Sequence, residues 1–229
     1  MNTYWERVVS AETPVLRSSG TPVSEIIARF EAGETLAGTA ATLNLQPLDL
    51  VAVLAHDALG ETDDAGPSLV QTPPRRPKLE HVLTESAVES IFPAMRRPAR
   101  LALAAGLLQI HDFWDPSHQA AQEADDLGET RVSAYWHGIG HRREPDAGNA
   151  AYWFRRVGRH AVFPQLAEAA RLTLAVSDAS QTESLLPQGK WDPFAFIDLC
   201  VRSKGKAAAL ARRLQRTEMI LLLGASLPD

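Results

Sequence analysis

Apolar residues recur three or four positions apart through nearly all of this chain, and this helical period constrains the fold more than any other feature. After residue 78 no stretch shows a convincing alternation of apolar and polar residues of the kind that is typical of a half-buried strand. The period therefore predicts an all-α protein. Before residue 60 it predicts three helices, near 22–33, 36–43 and 47–59. After residue 78 it predicts eight, near 81–92, 98–110, 116–126, 131–143, 147–157, 163–176, 193–201 and 206–223.

Residues 60–78 interrupt this period. The segment combines acidic residues, glycine, serine and four prolines, a composition typical of an exposed linker. The three short helices before it, separated by tight turns, indicate a helix-turn-helix-like unit. We therefore predict a small three-helix domain over 1–59, a linker over 60–78 and a larger helical bundle domain over 79–229.

Composition excludes several classes of protein. The chain has 229 residues, 45% of them hydrophobic and 22% charged, which is enough apolar material for a core without disulfides. The single cysteine, Cys200, lies in an apolar helical stretch and is interpreted as a core residue. No apolar run approaches the ~20 residues of a membrane span, and the first residues lack the basic and apolar regions of a signal peptide. We expect a cytoplasmic protein without a membrane partner.

The first domain is acidic, which bears on its partners. From residue 31 to 74 the sequence has no lysine or arginine. A recognition helix needs basic residues to neutralise phosphates and to reach base edges, whereas the third predicted helix carries Asp49 and Asp57 instead. We expect no DNA binding and assign the unit to contact with a protein partner.

Three segments of this domain carry a resemblance: GTPVSEII at 20–27, FEAGE at 30–34 and LNLQPLDL at 43–50. Together they resemble the small bacterial antitoxin-like family numbered 433 among domains of unknown function, over about residues 10–59. The resemblance implies a homeodomain-like three-helix fold and a setting beside toxin genes. It implies a fold more firmly than an activity.

The densest polar stretch of the sequence lies at 135–160. On an ideal helix His137, His141 and Glu144 share one face about 60° wide, so that two imidazoles four residues apart reach one ion and a carboxylate supplies a third ligand. Pro145 disfavours helical geometry at Glu144 and indicates that the helix ends there. The glutamate that follows the first histidine in zinc metalloproteases is replaced by Gly138, which argues against a protease.

A second source of ligands lies upstream, at the entrance of the helix predicted over 116–126. Asp112 and His118 lie near this entrance, and if it packs beside His137 and His141, four or five nitrogen and oxygen ligands converge. The cofactor predicted for such a set is zinc or another divalent transition metal. Two other interpretations stay open, namely ligand binding or acid–base work without a metal, and histidines that are merely hydrogen-bonded between helices.

The same stretch is rich in arginine, and its local charge from 142 to 159 is positive. Such a group can hold a phosphate or carboxylate, and the alternative is a set of ion pairs between helices. The candidate residues for a small anionic ligand are Arg142, Asp146, Asn149, Tyr152, Arg155 and Arg156. Gly138 and Gly140 each cost roughly 1 kcal/mol inside a helix, so we expect either a closely packed helix or a ligand against them.

The segment WHGIGHRREPDAGNAAYWFRRVGRH at 136–160 also resembles a segment of uncharacterised bacterial proteins, which implies a structural unit and no mechanism. The function predicted from the sequence is a His/Arg/carboxylate pocket for a metal or a small anionic ligand, with the first domain as an interaction element. The alternative is a toxin–antitoxin-type regulator or a structural interaction protein without ligand chemistry. Whether the protein is an enzyme is left open.

Overall fold

A computed structural model describes residues 4–60, 66–177 and 179–228. In these residues the chain is mostly helical, and its only strands form a two-stranded antiparallel hairpin, β1 (Val8–Val9) and β2 (Val15–Leu16). The α-helices are α1 (Val23–Glu31), α2 (Leu36–Leu43), α3 (Pro47–Leu59), α4 (Glu80–Leu83), α5 (Glu85–Ile91), α6 (Arg97–Ile110), α7 (Trp114–Asp126), α8 (Val132–Arg143), α9 (Ala147–Val157), α10 (Phe163–Ser177), α11 (Thr182–Leu185), α12 (Pro193–Arg202) and α13 (Lys206–Ala225).

The all-α prediction is confirmed, and most helix bounds agree within a few residues. The first predicted helix after the linker is divided into α4 and α5 at Thr84, whose side chain accepts a hydrogen bond from the Ala87 N–H and so caps α5. Asp192 caps α12 in the same way, by accepting from the N–H groups of Phe194 and Ala195. The hairpin and the short helices between 179 and 189 are additional to the prediction.

One apolar core joins the N-terminal helices to the later ones. Buried side chains of α1 and α3, such as Phe30 and Leu50, belong to the same cluster as those of α6, α8 and α13. His111 strengthens this junction, because its Nε2 lies 3.1 Å from the Leu54 carbonyl oxygen of α3. A second cluster lies between α10, α12 and α13. The predicted division at 59 and 79 therefore cuts through continuous packing, and independent folding of 1–59 stays a prediction.

The described part of the segment predicted as a linker is exposed or half-buried, and several of its groups bind neighbouring helices, while residues 61–65 lie outside the described ranges. The carbonyl oxygen of Ser68 accepts from Arg143 Nε at 3.0 Å, and Arg76 pairs with Asp57 and Glu31. The physical reason is that an extended, proline-rich chain has free carbonyl oxygens, which the arginines of neighbouring helices bind. Composition alone does not show such partners.

Helix α3, which the sequence interpretation compares with a recognition helix, has little free surface. Its residues from Asp49 to His56 are buried, and Asp49 accepts a 2.8 Å hydrogen bond from Arg7. The absence of DNA binding stays a prediction. None of the helices in the described ranges has both the length and the apolar character of a membrane span.

Candidate metal centre at the α7–α8 contact

Helix α8 positions the site, and it is buried on all sides. Every residue from Ser133 to Arg143 is buried, although half of them are polar. Two glycines allow the close contacts: a Cβ on Gly138 would lie 2.8 Å from the Phe154 ring of α9, and one on Gly140 would meet Gln109 and Trp114 at 3.4 and 3.6 Å. The expectation that a neighbouring helix explains Gly138 is confirmed, whereas a Cβ on Gly140 would make only ordinary van der Waals contacts.

Three imidazoles converge where α7 packs against α8. His137 and His141 lie one turn apart on α8, and His118 comes from α7. One ring nitrogen from each lies within 4.8 Å of the others. The ring of His118 meets that of His137 edge-on, with centroids 4.5 Å apart. The convergence that the sequence predicted for these three residues is thus found in the structure.

His137 is the unusual member of this cluster. Its side chain is 2% exposed, and within the described residues neither Nδ1 nor Nε2 has a hydrogen-bond partner. The ring is stacked on Trp153 at 3.9 Å with an interplanar angle of 8°. Burial first, and then the neighbouring His118 and His141, lower the pKa of His137 to about 3, so its ring is neutral near pH 7 and one nitrogen has a free lone pair.

His141 is held by two neighbours from the turn after α8 and from α9. Its Nδ1 lies 2.9 Å from Glu144 Oε2, and the amide of Asn149 lies beside the ring, with Nδ2 3.1 Å from Nε2. A carboxylate at Nδ1 keeps the proton on that nitrogen, so the lone pair of Nε2 accepts from the Asn149 amide. Ligation of a metal by Nε2 would require the amide to move aside. The helix ends at Arg143, as Pro145 predicted, yet the Glu144 carboxylate still reaches back to the histidine.

His118 is held by its own helix. Its ring stacks on Trp114 one turn earlier, with centroids 5.3 Å apart. Burial, followed by the nearby His141, lowers the pKa of His118 below its ordinary value. The indole Nε1 of Trp114 is itself buried and without a partner in the described ranges. Sequence reasoning missed Trp114 and Trp153 as supports, although the spacing of Trp114 and His118, four residues apart, is a signal that could have shown the first.

The cleft beside the histidines is small. It lies between α6, α7 and α8, with His118, His137 and Gly140 in its wall, and it has no room for a sphere of the size of a water molecule. Sites for organic ligands usually occupy about 300–1,000 Å³. The cleft therefore has no room for an organic molecule.

Two predicted metal ligands are not among the three residues whose nitrogens converge. Asp112 has both carboxylate oxygens engaged, one by Arg143 and the other by Thr72 Oγ1 at 2.9 Å. Its charge neutralises a buried arginine, and a role for it as a metal ligand stays a prediction. Glu144 is bonded to His141 rather than placed among the three ligand nitrogens, and this makes it a supporting residue.

The predicted anion-binding residues do not form one pocket. Arg142 is wholly buried and pairs with Glu218 at 2.5 Å, and Arg156 pairs with Asp125 at 2.7 Å. Asp146 is the N-cap of α9, where it accepts from the Asn149 N–H. Tyr152 and Arg155 lie exposed on α9. The ion-pair interpretation, which the sequence left open, describes Arg142 and Arg156, and of this set only Asn149 reaches the histidines.

No family model, curated protein or solved structure matches this chain. The resemblances of residues 10–59 and 136–160 therefore stay predictions. Inference about the site rests on its own geometry.

Proposed function

We propose that this protein binds a divalent transition metal ion of the zinc type through His118, His137 and His141. The observation that carries the proposal is His137, a histidine 2% exposed whose two ring nitrogens both lack a hydrogen-bond partner in the described residues. A buried polar group without a partner costs about 1–3 kcal/mol. Folded proteins avoid this cost unless the group has another use, and ligation of a metal is the use that fits an imidazole beside two others.

The donor set supports a metal that prefers nitrogen. Imidazole suits zinc, copper, nickel and iron, whereas magnesium and calcium prefer carboxylate and carbonyl oxygens. Zinc–nitrogen bonds of about 2.05 Å place two tetrahedral ligands about 3.4 Å apart, so nitrogens that lie within 4.8 Å of one another need to close by at most about 1.4 Å. Rotations of side chains at a helix–helix contact can supply such a change.

The surrounding residues have distinct parts in this proposal. Glu144 fixes the tautomer of His141, and Trp153 and Trp114 hold the rings of His137 and His118 by stacking. A zinc ion held by three imidazoles supplies Lewis acidity at its remaining position. The proposal places the whole set on α7, α8 and α9, which are rigid elements of the core, and rigid elements position a metal site more accurately than loops do.

Zinc titration against a competing chelator tests the proposal. The full chain, stripped of metal, should bind one zinc ion per molecule, and His137→Phe should weaken binding by more than about 100-fold while the ring still stacks on Trp153. The matched control is His81→Ala, because His81 is exposed and bonded to the carbonyl oxygens of Lys78 and Glu34. Equal zinc affinity in the wild type and His137→Phe, or no binding by the wild type, would refute the proposal.

A further inference from the structure

A second and larger cavity lies where the turn between α9 and α10 faces the loop before α12. Its volume is about 1130 Å³, which is enough for an organic molecule of two rings. The backbone fixes both sides of the opening: the N–H of Phe163 donates to the His160 carbonyl oxygen, and that of Asp192 to the Leu185 carbonyl oxygen. The cavity shares no wall residue with the cleft beside the histidine cluster.

The charged side chains of the wall balance one another. Three are basic and three are acidic, and five of the six are exposed: Arg159, Arg171, Lys190, Glu168, Glu183 and the half-buried Asp192. Arg171 pairs with Glu168 at 2.7 Å, and the carboxylate of Asp192 is engaged in capping α12. A charged ligand entering the cavity would therefore lose hydration without a compensating net charge in the wall.

The inner part of the wall is apolar. Ala167, Leu186 and Trp191 are buried in it, and the rings of Phe163 and Phe194 continue it toward the rim. Phe194 is 41% exposed, although it is a large apolar residue. The indole nitrogen of Trp191 is enclosed, so this side chain contributes apolar surface only. Such a wall suits a planar aromatic ring, which packs and stacks against it.

His160 is the polar exception among the buried side chains of this wall. Its Nδ1 accepts a 3.2 Å hydrogen bond from the Val162 N–H. Burial, and then the nearby Arg131, lower the pKa of His160 to about 4, so the ring is neutral near pH 7 and its proton resides on Nε2. Within the described residues Nε2 has no hydrogen-bond acceptor, and unlike the nitrogen of Trp191 it is not enclosed. The wall thus contains a fixed donor that the fold leaves unused.

We propose that this cavity binds an uncharged aromatic compound with a hydrogen-bond acceptor, such as an aromatic ketone. The ring of the ligand packs against Phe163, Trp191 and Phe194, and its carbonyl oxygen accepts a hydrogen bond from His160 Nε2. This inference goes beyond the metal proposal. Because the two sites share no residue, a failure of one leaves the other standing.

Titration of the metal-free full chain with 2-acetonaphthone, followed by ¹⁵N NMR, tests the site. The chain has seven histidines, and the Nε2 resonance of His160 is assigned by its loss in His160→Asn. We expect this resonance to shift and to saturate at one ketone per chain. The charged analogue 2-naphthoate, which has the same rings, should bind at least about tenfold more weakly, because its carboxylate must give up hydration.

The variant His160→Asn also tests the hydrogen bond to the ligand. The asparagine side-chain oxygen can still accept from the Val162 N–H, two residues further on, while the donor at the position of Nε2 is removed. The variant should bind 2-acetonaphthone about tenfold more weakly. It should bind 2-isopropylnaphthalene, which has no acceptor, with an affinity within about twofold of the wild type. Equal losses for the two ligands would overturn the proposal.

The variant Phe194→Ala tests the aromatic wall. It should weaken binding of 2-acetonaphthone about tenfold, through lost packing against the ring. The matched control is Leu172→Ala, because Leu172 is an exposed apolar residue of α10 outside the wall, and it should change the affinity by less than about twofold. Both side chains are exposed, so folding is preserved. No saturable binding of the ketone by the wild type, equal effects of these two substitutions, or equal affinities for the ketone and 2-naphthoate would overturn the proposal.

Discussion

Helix α8 contains two kinds of buried polar side chain within a few residues, arginines and histidines. They differ in their hydrogen-bond partners. Arg142 and Arg143 each meet a carboxylate: Arg142 donates to Glu218 and Gln215, and Arg143 to Asp112 and to the Gln109 carbonyl oxygen. His137, on the same helix, meets no hydrogen-bond partner in the described residues. Burial alone therefore does not distinguish the structural polar residues of this helix from the candidate metal ligands.

The difference lies in whether the fold engages the buried group at all: Arg142 has three hydrogen bonds although its Nε has no partner in the described residues, whereas neither nitrogen of His137 has one. The arginines join α8 to α13 and to the end of α6, and removal of either partner leaves an uncompensated charge. The unpartnered His137 contributes nothing comparable to the fold, and it lowers stability in the metal-free protein. We therefore assign the arginines to the core and the histidines to a site, and each prediction below tests that division.

The largest effect is expected at the buried ion pair. Arg142→Met should lower the free energy of unfolding by about 3–5 kcal/mol, because it leaves the Glu218 carboxylate buried and uncompensated. Urea unfolding measures this change. The double variant Arg142→Met/Glu218→Met should recover most of the loss, since it removes both charges. A single variant as stable as the wild type would show that the pair is not part of the structural core.

His111, a buried histidine that has a hydrogen-bond partner, should make the stability of the protein depend on pH. His111 lies against the Leu54 carbonyl oxygen, and burial lowers its pKa to about 4. Between pH 6.5 and 4, His111 is protonated in the unfolded chain and neutral in the folded protein. Its contribution to the free energy of unfolding is therefore fully present above pH 6.5 and is lost as the pH falls toward 4. For this residue the loss from pH 7 to 4.5 is about 2–3 kcal/mol.

Urea unfolding of His111→Gln at the two pH values isolates this contribution. The glutamine amide can still donate to the Leu54 carbonyl oxygen, and it does not titrate. The variant should therefore lose about 2–3 kcal/mol less than the wild type on acidification. His81→Gln, at an exposed position, is the control and should follow the wild type. An unchanged pH dependence in His111→Gln would contradict the assignment.

A smaller change of opposite sign is expected at His137. In the metal-free protein, His137→Phe should raise the free energy of unfolding by about 1–2 kcal/mol, because two unpartnered nitrogens are replaced by carbon while the stack on Trp153 is kept. Thermal unfolding in the presence of a chelator measures this. Destabilisation by this substitution would mean that His137 is a structural residue, as the arginines are.

The smallest effect on metal binding and stability is expected at Glu144, which is hydrogen-bonded to His141. Glu144→Gln should weaken zinc binding about tenfold and leave stability nearly unchanged, since Glu144 is partly exposed and acts through His141. Chelator competition gives the affinity and urea unfolding the stability. Glu123→Gln is a suitable control, because this acid of α7 pairs with Arg97 rather than with a histidine. Equal effects of the two substitutions would remove Glu144 from the site.

The sequence predicts those features of the fold that depend on the spacing of residues near one another in the chain. The bounds of α2 and α9 follow from periodicity and capping, and the shared face of His137 and His141 follows from their separation by one turn. His118 was placed beside them on an assumption about packing, which the structure bears out. The partner of Arg142 could not be foreseen, because Glu218 lies 76 residues away and only the tertiary fold brings it to α8. The partner of Asp112 could not be foreseen either. Its carboxylate is chemically suited to bind a metal, but in the fold it pairs with Arg143.

X-ray absorption at the zinc edge tests the central claim most directly. The zinc-loaded full chain should show a shell of nitrogen atoms at about 2.0 Å, with the multiple scattering of three imidazoles, as His118, His137 and His141 require. His137→Phe, measured in the same way, should lose one imidazole or all bound zinc. A wild-type spectrum without imidazole scattering, or one that His137→Phe leaves unchanged, would contradict the account.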